Sequence, residues 1–143
     1  NGIEGHIDIF DKQYHVPIEA KSARVKTMIE PKAHYITQLE AYMAITGAET
    51  GVILVQCLLN YNDDPFVEFE HTMTAQQRNQ KLHELNEDAT ILKIGNAQRD
   101  PSLVRHIAYD ADLNWKCRFC QYLKPCEEMR LKVTAEKLEV EKV

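Results

Sequence analysis

The sequence predicts an α/β fold in which a mixed central sheet is flanked by helices. Three observations carry this prediction: residues that alternate between apolar and polar near the N-terminus, a helical apolar stripe after Pro31, and a nearly continuous apolar run over 51–59. Period-two alternation indicates strands, spacings of three and four residues indicate a helix, and a short apolar run is typical of a buried strand. Strands and helices that follow one another in this way belong to the α/β class.

The first element is a predicted hairpin. Residues 3–10 alternate between an apolar and a polar face, residues 16–21 repeat the pattern, and the link DKQYH between them is short and polar. We expect the apolar face of each strand to lie on the core. That face carries Ile3, Ile7 and Ile9 in the first strand and Val16, Ile18 and Ala20 in the second.

The shortest link turns on Gln13 and Tyr14, so the numbers of cross-strand partners sum to 27. This register sets Asp8 opposite Glu19, and His6 opposite Lys21. Opposed side chains lie about 4.5–5.5 Å apart, and two carboxylates at that distance need a proton or a cation between them. A hard divalent ion, Mg²⁺ or Mn²⁺, is the natural occupant.

Lys21 shares a strand face with Glu19, two residues away. Beside a bound cation its ammonium can hold a water molecule or stabilise charge on a phosphoryl oxygen. Asp8, Glu19 and Lys21 are thus the minimum set for metal-assisted phosphodiester hydrolysis. The alternative is an ordinary solvated hairpin with a Glu/Lys pair, which the Glu-x-Lys spacing by itself favours.

A helix is predicted to begin at Pro31 and to end at Gly47. Its apolar stripe consists of Ile36, Leu39 and Met43, and a neighbouring stripe consists of His34, Gln38 and Tyr42. A strand over 51–59 follows, covered on both faces, and then a turn over 61–65 and an alternating strand over 66–73. A polar amphipathic helix is predicted over 74–94, opened by Thr74.

The chain has 143 residues, about one domain, with a net charge of -5. This charge argues against a protein that simply coats nucleic acid. Two segments, 20–34 and 115–132, nevertheless carry an excess of basic residues. They indicate either a localised binding site for a polyanion or ordinary solvated surface.

No apolar run approaches the roughly 18 residues that span a bilayer, and there is no basic-then-apolar leader. We therefore expect an intracellular, cytoplasmic protein without a membrane partner. The chain enters strand-like sequence almost directly after Asn1, so we also expect that a segment before it is missing.

Three short motifs occur in order: Gly5-His-Ile-Asp8, Glu19-Ala-Lys21 and Gln38-Leu-Glu-Ala-Tyr42. Over about residues 3–60 this order resembles the PD-(D/E)xK nuclease superfamily, and more closely its RecB/AddB branch, with G-x-x-D, (D/E)-x-K and Q-x-x-x-Y motifs. The resemblance implies a restriction-endonuclease-like fold.

By this resemblance, Asp8 and Glu19 would ligate Mg²⁺ or Mn²⁺ with the Ala20 carbonyl as a further ligand, and Lys21 would be the catalytic lysine. Gln38 and Tyr42 would line the DNA path or buttress Lys21. The branch usually has a metal-binding histidine on a helix before the first motif, and this chain has no such helix. His6 could approach the metal, but we expect it either to contact the metal ligands rather than the metal, or simply to be exposed to solvent.

The implied function is metal-dependent DNA cleavage, exonucleolytic on single strands or DNA ends, in DNA repair, recombination or CRISPR adaptation. DNA and other recombination or CRISPR-adaptation proteins are the implied partners. One alternative is a nuclease module of a larger helicase–nuclease. Another is a metal-stapled protein that binds DNA ends, or a partner in adaptation, with secondary or no catalysis.

Cys117, Cys120 and Cys126 form a C-x₂-C-x₅-C pattern, which in an intracellular protein usually holds metal. It resembles part of the iron–sulfur staple of AddB-type nucleases and CRISPR-associated RecB-like exonucleases, which implies a [4Fe–4S] cluster. The fourth ligand is not identified, and a Zn²⁺ site completed by a histidine is the rival. Cys57 lies in an apolar strand and is expected to be a core residue. We therefore predict a nuclease core over 1–112, lacking an N-terminal helical segment, and a Cys-rich C-terminal cap and tail over 113–143.

Overall fold

The computed structural model describes residues 4–61, 64–100, 103, 119–121, 123–124, 126 and 128. The chain divides into two compact units, Asn1–Asn86 and Glu87–Val143. All four strands and the first helix of the described residues belong to the first unit.

The elements, in chain order, are β1 (Ile9–Asp11), β2 (Val16–Ala23), α1 (Ala33–Thr46), β3 (Thr50–Cys57), β4 (Phe66–Thr72) and α2 (Ala75–Gln98). The strands form one sheet in the order β1-β2-β3-β4. The pairs β1/β2 and β3/β4 are antiparallel, whereas β2 and β3 are parallel and are connected through α1. The predicted α/β class with a mixed sheet is therefore confirmed.

The predicted register of the first hairpin is confirmed for every residue that pairs in it. Ile9 pairs with Ile18, and the pairing continues to the end of β1 with partner numbers that sum to 27. The Asp11 carboxylate closes the turn by accepting hydrogen bonds from the backbone N–H groups of Gln13 and Tyr14, at 2.8 and 3.1 Å.

The first strand is shorter than the sequence predicts, since β1 begins at Ile9 and residues 4–8 are not in a strand. The predicted cross-strand pairs of Asp8 with Glu19 and of His6 with Lys21 are therefore both wrong. The segment before β1 is instead held by contacts to α1, which the next subsection describes.

The predicted core face of β2 is also wrong. The structure buries Pro17, Glu19 and Ala23 and leaves Ala20 exposed. Neighbouring strands explain this choice of face, because side chains in register point to the same side of a sheet. Glu19 is in register with Ile53, which is fully buried on the side of the sheet that α1 covers.

Helix α1 begins at Ala33, two residues later than predicted, because Lys32 is still extended and serves as the N-cap. Its end at Gly47 is confirmed. Gly47 has a left-handed backbone (φ 78), and its N–H donates to the Met43 carbonyl at 2.9 Å.

Leu39 and Met43, both 0 % exposed, pack α1 onto β3. Strand β3 is central in the sheet, but it is fully buried on one face only, since Val52 and Leu54 on the other face are half-buried. Its predicted burial on both faces is therefore only partly matched.

The start of α2 follows the predicted pattern. Thr74 precedes the helix, and its hydroxyl accepts a hydrogen bond from the Gln77 N–H at 3.2 Å. The Gln77 side chain accepts in return from the Thr74 N–H at 2.8 Å, which makes a reciprocal N-terminal cap. Across the part of the chain that the structure describes, no helix is both long and apolar enough for a membrane span.

We expect Gly51→Ala to destabilise the fold by about 1–3 kcal/mol through overpacking. A Cβ atom at Gly51 would lie 2.8 Å from Leu39 Cδ1 and 2.9 Å from Met43 Sδ, and neither buried side chain can swing into solvent. Without such crowding, alanine in a strand would instead be favourable. Urea unfolding of wild type, Gly51→Ala and Gly51→Val measures the effect, which should grow with side-chain size. An alanine variant as stable as wild type would contradict the close packing of α1 on β3.

Candidate active site

The centre of the site is a carboxylate that is completely removed from solvent. Glu19 is 0 % exposed, in the middle of β2 beneath α1. Lys21 Nζ forms an ion pair with Glu19 Oε1. Among the described residues, the Lys21 ammonium is the only polar partner of Glu19 Oε1, and Glu19 Oε2 has none. A buried carboxylate with so few partners is costly and is uncommon in folded proteins.

The surroundings of Glu19 favour its neutral form. Burial raises the pKa of Glu19 above its ordinary value of 4.5. The Lys21 ammonium acts in the opposite direction, and the nearby Asp8 carboxylate raises the pKa of Glu19 further. The effect of burial exceeds that of the ion pair, so a proton or a cation is favoured at this carboxylate.

Lys21 is held by groups on three sides. Its ammonium contacts Glu19, donates a hydrogen bond to Gln38 Oε1 at 3.1 Å, and lies 5.5 Å from the centroid of the Tyr35 ring. Its side chain keeps 24 % of its exposure. The ammonium is thus fixed in direction, while part of the Lys21 side chain still reaches solvent.

A chain of hydrogen bonds continues from Lys21 across α1. Gln38 Nε2 donates to the Tyr42 hydroxyl at 3.0 Å, and that hydroxyl donates to the His6 main-chain carbonyl at 2.7 Å. The direction of this chain is set at its first member, because an ammonium can only donate. Gln38 must therefore present its oxygen to Lys21 and its amide to Tyr42.

The segment before β1 completes the site. Asp8 Oδ2 accepts a hydrogen bond from the Ala20 N–H at 3.0 Å, which fixes this exposed carboxylate beside β2. Gly5 lies against the Tyr42 ring, where a Cβ atom would be 3.1 Å from Cε1. Glycine therefore allows residues 4–8 to pass close over α1 and to deliver Asp8 to the neighbourhood of Glu19.

The residues predicted from the sequence are thus brought together: Asp8, Glu19, Ala20, Lys21, Gln38 and Tyr42. Tyr42 is 8 % exposed, and both ends of the Gln38 amide are engaged. Gln38 and Tyr42 were expected either to line the DNA path or to buttress Lys21, and these contacts agree with the second role. The His6 position is exposed, and the hydrogen-bond chain uses its carbonyl.

A divalent cation fits the donors of this site. Within the described ranges, no group of three or more His, Cys, Asp or Glu side chains could hold a metal ion. Two carboxylates remain, those of Asp8 and Glu19, and the Ala20 carbonyl is the third predicted ligand. Carboxylate and carbonyl oxygens are the ligands that Mg²⁺ and Mn²⁺ prefer, and the buried Glu19 Oε2, which has no hydrogen-bond partner among the described residues, is the observation that supports the fit.

The cysteines are described only in part. Cys117 lies outside the described residues, Cys120 is exposed and Cys126 is half-buried. Cys57 is 0 % exposed, at the end of β3.

Sequence reasoning missed two contributors to the site, the Tyr35 ring and the His6 carbonyl. Tyr35 precedes Gln38 by three residues and Tyr42 by seven, so helical spacing could have placed it on the same stripe. No sequence signal identifies a main-chain carbonyl as an acceptor, because every residue has one.

Comparison with protein families, with curated protein sequences and with solved structures found no significant match. The chemistry of the site is therefore judged on its own geometry.

We expect Glu19→Gln to be more stable than wild type at neutral pH when divalent cations are chelated. The pKa of Glu19 is raised in the fold, so Glu19 contributes stability below its unfolded value of 4.5 and loses it as the pH rises through the folded pKa. The advantage of the glutamine variant should shrink as the pH falls toward 4.5.

Urea unfolding in EDTA across this pH range measures the difference in unfolding free energy. Glu68→Gln, at an exposed position of β4, is the matched control and should show no such trend. A glutamine variant whose advantage grows with acid would overturn the direction of the pKa shift.

Proposed function

We propose that this chain is a Mg²⁺- or Mn²⁺-dependent deoxyribonuclease that hydrolyses phosphodiester bonds. The observation that carries the proposal is the fully buried Glu19 carboxylate, whose only polar partner among the described residues is the Lys21 ammonium, near the second carboxylate of Asp8. A protein that only binds DNA has no need for such an unfavourable group. An enzyme that must hold a cation does.

The contact pattern supports the resemblance to PD-(D/E)xK nucleases of the RecB/AddB branch. In these nucleases the three motifs build one active site, and in this chain they form one continuous set of contacts. The first motif supplies Gly5, the His6 carbonyl and Asp8, the second supplies Glu19 and Lys21, and the third supplies Gln38 and Tyr42.

In the proposed reaction, a water molecule attacks phosphorus, one P–O ester bond breaks, and the departing oxygen takes up a proton. When bound, a divalent cation would polarise the phosphoryl oxygens and offset their negative charge. Asp8, Glu19 and the Ala20 carbonyl would hold that cation. Lys21 Nζ, fixed by Gln38 on a partly exposed side chain, can hold the water or donate a hydrogen bond to a phosphoryl oxygen as charge develops there.

Gln38 and Tyr42 act through Lys21 in this proposal and are positioning residues. Gln38 Oε1 keeps the ammonium directed, and Tyr42 fixes the Gln38 amide while it anchors the segment that carries Asp8. Gln38 and Tyr42 thus position both Lys21 on β2 and the segment that carries Asp8.

Single-stranded DNA or DNA ends, cleaved exonucleolytically in repair, recombination or CRISPR adaptation, remain the proposed substrate and setting. The proposal also covers a nuclease module of a larger helicase–nuclease. A [4Fe–4S] cluster on Cys117, Cys120 and Cys126, or Zn²⁺ in its place, is proposed on the cysteine spacing alone.

We expect Asp8→Asn, Glu19→Gln and Lys21→Met each to slow Mn²⁺-dependent cleavage of end-labelled single-stranded DNA by about 100- to 1,000-fold, the size of effect seen when one electrostatic contact to the reacting group is removed. Asp8→Asn tests the exposed cation ligand, Glu19→Gln tests the buried cation ligand, and Lys21→Met tests the ammonium. Initial cleavage rates are compared with melting temperatures on the same samples, which separates loss of chemistry from loss of fold.

Lys12→Met and Glu68→Gln are the matched controls, because both positions are exposed and neither side chain takes part in the site. Both should cleave at the wild-type rate. A wild-type cleavage rate in any of the three site variants would contradict the assignment of that residue to the active site. DNA binding without cleavage by wild type would favour the binding protein over the nuclease.

A further inference from the structure

The Tyr35 ring is close to two lysines, Lys21 of the candidate active site and Lys32. Lys21 Nζ is 5.5 Å from the ring centroid, and Lys32 Nζ is 5.7 Å from the same centroid. Tyr35 itself is 7 % exposed, so its ring is a fixed platform within the core. An ammonium at this distance from an aromatic ring is attracted to it, and the ring therefore restrains the directions of both lysines.

The two lysines differ in how their charges are compensated. Lys21 has the Glu19 carboxylate beside it. Lys32 is exposed at the N-cap of α1, and no described carboxylate forms an ion pair with it. On a chain with a net charge of -5, an exposed ammonium that is held in place without a carboxylate partner is suited to an external anion.

Further cations lie along the same connection between β2 and α1. Arg24 and Lys26 are exposed and, like Lys32, form no ion pair with a described residue. Main-chain hydrogen bonds hold the start of this connection, from Leu58 N–H to the Ala23 carbonyl at 2.8 Å and from Leu59 N–H to the Val25 carbonyl at 3.0 Å. The same connection carries one exposed carboxylate, Glu30, so its cations outnumber its carboxylates by three to one. An excess of positive charge on an anchored connection suits a polymer with regularly spaced negative charge.

We propose that Lys32 binds the sugar–phosphate backbone of a DNA strand at a phosphate next to the one that Lys21 contacts. This inference rests on the proposed function for the phosphate at Lys21. The two ammonium groups share one ring, so they are no more than about 11 Å apart. At about 3.4 Å of axial advance per phosphate on one strand, that span reaches neighbouring phosphates of the same strand.

Lys32 is a binding residue in this scheme, and Tyr35 positions it relative to Lys21. Its contact would be equal in the ground state and the transition state, so it should contribute to affinity for a polymer and not to the chemical step. A substrate with a single phosphodiester should not use Lys32 at all.

The first test is binding of a fluorescent single-stranded oligonucleotide in EDTA, where cleavage is absent, across a series of KCl concentrations. Lys32→Met should weaken binding about five- to tenfold, as expected for one charge-assisted contact. It should also reduce the slope of log affinity against log salt by about 0.7, the contribution of one phosphate contact on a single strand. Lys12→Met, an exposed lysine on the hairpin turn, should leave both quantities unchanged.

The second test compares Mn²⁺-dependent hydrolysis of the oligonucleotide with that of bis(nitrophenyl) phosphate. Lys32→Met should raise KM for the oligonucleotide five- to tenfold with kcat unchanged, and it should leave kcat/KM for the single phosphodiester at the wild-type value. A lowered kcat on both substrates would place Lys32 in the chemical step and overturn the inference.

The two proposals can fail separately. If wild type binds the oligonucleotide through Lys32 but never cleaves it, the nuclease proposal fails and the strand contact stands. If cleavage is normal and Lys32→Met binds DNA with the wild-type affinity and salt slope, the inference is overturned alone. Absence of DNA binding by wild type overturns it as well.

Discussion

The buried Glu19 carboxylate, with Lys21 as its charged partner, is the constraint on which the rest of the site depends. Removing two charges from water is unfavourable, and one ion pair seldom compensates for it. The neighbouring residues reduce the cost at the lysine end, where Gln38 and the Tyr35 ring stabilise the ammonium. They reduce it less at the carboxylate end, where Oε1 has only the Lys21 ammonium and Oε2 has no hydrogen-bond partner among the described residues. We therefore interpret the carboxylate end as the side that is left open for a cation.

The hydrogen bonds that begin at Lys21 connect this local constraint to the fold. They run through Gln38 and Tyr42 to the carbonyl of His6, and so join β2, α1 and the segment before β1. Each member can adopt only one donor and acceptor arrangement, because the first is a pure donor and the last a pure acceptor. Such a network specifies one arrangement of three chain segments, so Asp8 is held near Glu19 without depending on long strand pairing.

Much of this fold could be predicted from local patterns, and the failure that matters most for the site has a tertiary cause. The register of the hairpin followed from turn length, and Gly47 marked the end of α1 because only a left-handed residue closes a helix there. The buried face of β2 could not be predicted from its own alternation, since it is decided by Ile53 on β3 and by the helix above it. The polar Glu-x-Lys pattern predicts a solvent-exposed face, whereas tertiary packing buries Glu19 beneath α1. The sequence singled out residues that the structure brings together, but it did not show that the Glu19 carboxylate was buried.

The most direct test of this account is the titration of Glu19 by ¹³C NMR of its side-chain carboxyl, first in EDTA and then with Mg²⁺. The account predicts a pKa above 4.5 in EDTA, a fall of that pKa when Mg²⁺ is added, and loss of the Mg²⁺ effect in Asp8→Asn. A cation that binds between the carboxylates must compete with the proton, so the two changes are linked. A Glu19 pKa that Mg²⁺ leaves unchanged would contradict the central claim that this buried carboxylate is a cation ligand.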